Sequence, residues 1–187
     1  MDKVDLRITK SEQAIEQAFL ELVEEKGFEN IHIVDIATKA NVNRNTIYLR
    51  YGTKEDIIET MINKLFDEQL NQLDTEMIMK TRTSRKAIQN MFISIFSVLS
   101  KEIDVYRIIL TDPNLLGYAN KMIDKVRKMM LRVVQDTKKN KIIVEYLLKG
   151  AYGIITMWII YDTGSIEENA KILSDLVISN ARHLSFK

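Results

Sequence analysis

The chain has 187 residues, a formal net charge of +1, one proline, six glycines and no cysteine, and 46% of it is apolar. That length supports one or two domains with a substantial core, and so few helix breakers favour long helices over a loop-rich or β-rich fold. The near-zero charge excludes a strong overall field, the missing cysteines exclude disulfides, thiolate nucleophiles and cysteine-held zinc, and two histidines exclude a histidine-rich metal site.

The opening segment, Met1 to Lys10, lacks the apolar stretch of an export signal, which predicts a cytoplasmic location. Thr9 with Glu12 has capping-box spacing, and Ile15, Ala18, Phe19, Leu22 and Val23 recur at helical intervals. These predict a first helix running to about Lys26 and ended by Gly27. Ile33, Ile36, Ala37 and Ala40 predict a short second helix, closed by Asn41 in the left-handed conformation. Asn43 suits the N-cap of a third short helix that carries Ile47 and ends at Gly52. Thr53, with Asp56 three residues on, caps a fourth whose apolar stripe is Ile57, Ile58, Met61, Ile62, Leu65 and Phe66.

A polar, basic stretch from Lys80 to Lys86 reads as a loop. Beyond it the pattern predicts five more helices: roughly Ser84 to Lys101, Ile103 to Thr111, Asn114 to Asp136, Lys141 to Tyr161 and Ile166 to His183. Pro113 divides the second of these from the third. Ser165 and Glu168 form a further capping box after Gly164, so the last two helices are expected as antiparallel neighbours. The longest uncharged run, Gly150 to Tyr161, falls short of the roughly 20 residues that cross a bilayer. It reads as a buried helix, and no membrane partner is expected. The expected fold is all-α with about nine helices: a three-helix helix-turn-helix domain over residues 1–52, then a larger helical bundle over 53–187.

Two short helices joined by a tight turn at Asn41 and Val42, the second opening on polar residues, fit a helix-turn-helix that sets a recognition helix into a DNA major groove. Asparagine and arginine suit base edges, and threonine suits bases or phosphates. From Thr38 to Lys54 the chain carries Lys39, Arg44, Arg50 and Lys54 and no acid. Thr53 and Lys54 stand at a helix start, where free N–H groups and the dipole favour phosphate.

The segment from Thr9 to Leu65 resembles the N-terminal domain of TetR-like transcriptional regulators. Gly27-Phe28 and "IVDIATKANV" precede "NRNTIYLRYGTKEDII", in which Val42, Thr46, Ile47, Tyr48, Tyr51, Lys54, Glu55 and Ile57 fall into the family's register. The resemblance implies that Asn43, Arg44, Asn45 and Thr46 open the recognition helix, that Tyr48 reaches the backbone or a base, and that Lys54 holds a phosphate. Arg50, Tyr51 and Thr53 complete the expected contact set. His32 stands where the family usually has serine or threonine, and Val34 where some members place a base-reading arginine.

A recognition helix of about seven residues gives little affinity alone, so a homodimer on double-stranded DNA is expected. The last two helices are the expected dimer elements, with Gly150, Ala151 and Gly153 permitting close approach and Trp158 offering an anchor. Ala170, Leu173, Leu176, Val177, Asn180, Ala181 and Leu184 supply the second stripe. The family also implies a small apolar or amphipathic effector, for which Phe92, Phe96, Tyr106, Tyr118, Met122, Met129 and Trp158 are the candidate lining. Lys121, Lys125, Lys128 and Arg132 read as a solvated face. No Gly-rich phosphate loop, HExxH or nucleophile elbow is present, so no enzyme and no cofactor is expected. The reading is a ligand-responsive regulator, most simply a repressor on a palindromic operator; an effector-independent DNA-binding or protein-docking dimer is the alternative.

Overall fold

The computed structural model describes residues 3–70 and 84–186. Within them lie nine α-helices: α1 (Lys3–Lys26), α2 (Ile33–Lys39), α3 (Arg44–Arg50), α4 (Lys54–Leu70), α5 (Arg85–Lys101), α6 (Ile103–Thr111), α7 (Leu116–Val133), α8 (Lys138–Tyr161) and α9 (Ile166–Ala181). A single 3-10 turn, Phe28–Asn30, joins α1 to α2. The chain divides into two compact units, residues 1–67 with 108–118, and residues 68–107 with 119–187.

Asn43, Ser84 and Ser165 start helices where expected, whereas α7 covers Leu116–Val133 instead of Asn114 to Asp136 and α8 starts after a Thr137 cap, three residues before the expected Lys141. The hydroxyl of Ser84 accepts from Ala87 N, that of Thr137 from Asn140 N, and that of Ser165 from Glu168 N, while the Glu168 carboxylate takes Ser165 N–H. These hydrogen bonds hold the Glu168 carboxyl below its ordinary value. The first helix departs from expectation as well, because Thr9 and Glu12 lie inside α1, which begins before them. Of the expected basic loop, Lys80 to Arg82 and Thr83 lie outside the described residues, and Arg85 and Lys86 open α5.

In the first unit Ile15, Phe19, Ile31, Ile36, Ile47, Ile57, Ile58 and Leu115 have no exposed surface, and Phe19 meets Phe28 edge-on. The turn between α6 and α7 is part of this unit, and there Asp112 Oδ2 accepts the Phe28 N–H at 2.8 Å. In the second unit Phe96, Val134, Val144, Ile159 and Leu173 are buried. α9 packs most extensively on α5 and next on α8. Asn140, wholly buried at the start of α8, donates to the carbonyls of Gln135 and Ser185 and accepts Ser185 N–H. This ties the chain after α9 to the beginning of α8, so the two helices run antiparallel as expected.

The run Gly150 to Tyr161 is not a buried helix. Trp158 and Ile159 are buried, but Met157 and Tyr161 stand exposed. By length and composition α8 would suffice to cross a bilayer, since the uncharged run is only part of a 24-residue helix.

Candidate nucleic-acid interface

The helix-turn-helix is built from α2, α3 and the four residues between them. α2 starts at an N-cap His32, whose N–H is held by the Asp35 carboxylate at 2.9 Å. It ends in paired reverse bonds, Val42 N to Ala37 O and Asn41 N to Thr38 O, the arrangement that needs a left-handed residue after the cap. Asn41 supplies it with φ 52°. A β-branched residue could not take that conformation cheaply, and the turn would open.

Asn43 then caps α3, its side-chain oxygen accepting Asn45 N–H at 2.9 Å. Within α3, Ile47 is wholly buried, whereas Asn43, Arg44, Asn45 and Tyr48 face outward and Thr46 is half-buried. One helical turn thus presents an arginine, two asparagines and a phenol on one outer surface.

The remaining expected contacts occupy other places. Tyr51 is buried, with its hydroxyl 3.4 Å from Glu16 Oε1. Burial, and then the charges of Glu16 and Glu12, push its phenol above the ordinary value. It packs α3 onto α1 instead of extending the outer surface. Arg50 is paired with Glu12 at 2.7 Å, which holds the end of α3 to α1 in the same way. Lys54 donates to the carbonyls of Phe28 (2.7 Å), Ile31 (3.1 Å) and Glu29 (3.2 Å), and lies over the Phe28 ring. Its three protons are placed on the turn before α2, which it ties to the start of α4.

The start of α4 is likewise closed from within. Thr53 Oγ1 donates to Asp56 Oδ2 at 2.6 Å and accepts Asp56 N–H, and Thr53 N–H goes to the same carboxylate. A negative side chain therefore sits where a phosphate was expected. Lys39 joins this pattern, paired with Glu25 at 2.6 Å and Glu21 at 3.1 Å. Of the four basic residues between Thr38 and Lys54, three are bound to the domain, and Arg44 lies on the outer face. Counting charges along the chain could not separate these roles, because the partners lie on α1 and in the turn before α2.

The candidate effector residues differ in their surroundings. Phe92, Phe96, Tyr106 and Trp158 are buried, and Phe96 meets Trp158 edge-on at 4.9 Å. Trp158 also donates its indole N–H to Gly164 O, so it is an internal packing residue and not a protruding anchor. Met122 and Met129 are half-buried on α7. Tyr118 belongs to the first unit, where burial and the nearby Glu59, Glu55 and Asp56 push its phenol up. A cleft of about 750 Å³ lies elsewhere on the second unit, lined by Lys138, Lys139, Ile142, Ile143, Tyr146, Asn180 and His183.

α8 and α9 leave large apolar side chains in solvent. On α8 these are Ile142, Tyr146, Met157 and Tyr161, with Gly150 and Gly153 between them at helical spacing. On α9 they are Ile172 and Leu176. The expected α9 stripe mixed two faces, since Ala170, Leu173 and Leu184 are buried within this chain.

Residues 15–61 match the family model of bacterial regulatory proteins of the tetR family. An uncharacterized HTH-type transcriptional regulator of Bacillus subtilis, YxbF, is 35% identical over 72 residues, which are 38% of this chain and 19% of that protein. The chain therefore spans about a fifth of that relative's length. Among solved structures, NalD, the secondary repressor of the MexAB-OprM multidrug efflux pump in Pseudomonas aeruginosa, covers 95% of this chain and is covered over 96% of its own, with TM-score 0.67 and 16% identity. A TetR-family regulator from Syntrophomonas wolfei gives TM-score 0.67 and 15% identity, covering 90% of this chain and 93% of its own. At such identities the structures speak for the fold, and the N-terminal match speaks for descent. Residues 15–61 thus match the tetR family of bacterial regulatory proteins, and the fold of the chain is similar to that of a solved TetR-family regulator.

Proposed function

We propose that the protein is a sequence-specific DNA-binding transcriptional regulator that acts as a homodimer on an inverted repeat. The observation that carries this reading is the outer surface of α3, where Arg44, Asn45 and Tyr48 project from a helix held by a buried Ile47 and an asparagine cap. An exposed arginine and asparagine on a short helix have the donor and acceptor geometry for guanine and adenine edges in the major groove. Asn43 and Thr46 flank them and suit phosphate or sugar contacts. Thr53, Arg50, Tyr51 and Lys54 act behind this surface by fixing its pose.

Dimerisation would proceed through α8 and α9. The exposed apolar residues of α8 fall on one stripe with two glycines at its middle, and α9 adds Ile172 and Leu176, a surface that suits helix packing against a second copy better than it suits water. A bilayer is the poorer partner for α8, because the same helix spends its other faces on Val144, Leu147, Trp158 and Ile159 in the core.

The regulator is read as a repressor released by a small apolar or amphipathic effector held in the second unit. Release requires that the effector bind two arrangements of the dimer with different affinity. Selection from a random duplex pool at about 0.15 M salt tests the DNA reading, because specific binding outlasts non-specific binding there. Enrichment of an inverted repeat is expected. An unenriched pool would count against the whole reading.

A further inference from the structure

Apart from Leu116, the large apolar side chains that stand exposed among residues 9–65 and 84–186 belong to two surfaces, that of α8 with α9 and that of α2 with α3. A second copy accounts for the first face. The second consists of Val34, Tyr48 and Leu49, and folding does not account for it. Leu49 is 88% exposed and lies nearly opposite the buried Ile47, one helical turn beyond Asn45 on the same side. Val34 is 57% exposed in the first turn of α2. Leucine is a good helix former anywhere on a helix, but valine is β-branched and poor, so helix propensity does not explain position 34.

The major-groove edges of the base pairs offer donors, acceptors and a single kind of apolar group, the 5-methyl of thymine. Two exposed aliphatic side chains, one on each helix of the helix-turn-helix, match that group and none of the others. Resting on the reading that this face enters the major groove, we propose that Val34 and Leu49 determine specificity by each seating a thymine methyl, so that every operator half-site carries thymines at two fixed positions. Arg44 and Asn45 then read the polar edges between or beside them. An aliphatic side chain also favours thymine over cytosine, whose corresponding edge presents an amino group to be left unpaired.

The test uses the full-length protein and the duplex enriched from the random pool. Each thymine of one half-site is replaced in turn by deoxyuridine, which removes the methyl group and keeps every hydrogen-bonding edge. Two of these replacements are expected to weaken binding about fourfold each, the value of one buried methyl. Leu49→Ala should abolish the loss at one position and Val34→Ala at the other, and both variants should keep the wild-type melting temperature, since both side chains are exposed. Binding unaffected by uracil at every thymine, or losses that persist unchanged in both variants, would overturn this assignment while leaving the regulator intact. A pool without any enriched duplex would overturn the DNA reading and this inference together.

Discussion

Lys54 and Arg44 are both basic residues of the same short segment, yet their surroundings assign them different work. Lys54 spends its protons on three backbone carbonyls of the turn before α2. Lys54→Ala should therefore cost about 1.5–3 kcal/mol of stability, the range for bonds to a charged donor, measured by urea unfolding. Arg44→Ala should leave stability within about 0.5 kcal/mol and cost about 1–3 kcal/mol of operator binding. If the two variants behaved alike in both assays, the division between clamp and reader would be wrong. Tyr51 carries a pH signature of the same packing. Its folded-state value lies above the ordinary 10.0, so the proton is held more tightly in the folded chain. Stability should be intact below pH 10 and fall as pH rises through the folded value. Tyr51→Phe should flatten part of that fall in pH-dependent melting, the rest belonging to Tyr118, which is shifted in the same direction. The sequence revealed which residues were polar and basic but not which were already partnered. Glu12, Glu16, Glu21 and Glu25 recur along α1 as an apparently solvated face, and only the fold brings them under Arg50, Tyr51 and Lys39.

Helix boundaries were the most legible feature, because capping is local chemistry. Asn41, Asn43, Thr53 and Ser165 each make the backbone contacts that their residue types favour. Asn43→Ala should cost about 1 kcal/mol in thermal or urea unfolding, and Asn43→Asp should restore most of it. An unchanged melting curve for Asn43→Ala would mean that the cap adds nothing to a helix held mainly by Ile47. What the sequence hid at this scale are bonds between distant segments. Asn140 reads as an ordinary polar residue in the first turn of α8, yet it is wholly buried and fastens residue 185 by three hydrogen bonds with residues 135 and 185. Asp112, next to the proline that marked a helix boundary, reaches Phe28 N across 84 residues. Neither pairing has a periodicity or a motif. Thr9 misled for the opposite reason, since a capping pattern inside an amphipathic stretch is overridden when the helix continues on its N-terminal side.

On the scale of the molecule, the apolar pattern singled out α8 and α9 as the expected dimer elements without resolving which side of each faces the core. A helix that is apolar on more than one face offers no unique inward direction, and Trp158, the largest residue, turned out to pack inside against Phe96. Met157 and Leu176 are the decisive positions, one on each helix, both exposed and both outside the core. In a two-fold interface each substitution appears twice, so Met157→Lys with Leu176→Lys would place four charges in the proposed contact. The monomer should keep its fold, because surface changes rarely exceed about 0.5 kcal/mol. Sedimentation velocity should show the wild type as a dimer and the double variant as a monomer. Operator affinity should fall by at least about 100-fold, since two recognition helices joined in one dimer gain that much from effective concentration. Binding to a single half-site should stay the same, which separates lost pairing from a damaged reading surface. A variant that sediments as a dimer would remove α8 and α9 as the interface, and one that loses half-site binding as well would show that the substitutions had reached the fold.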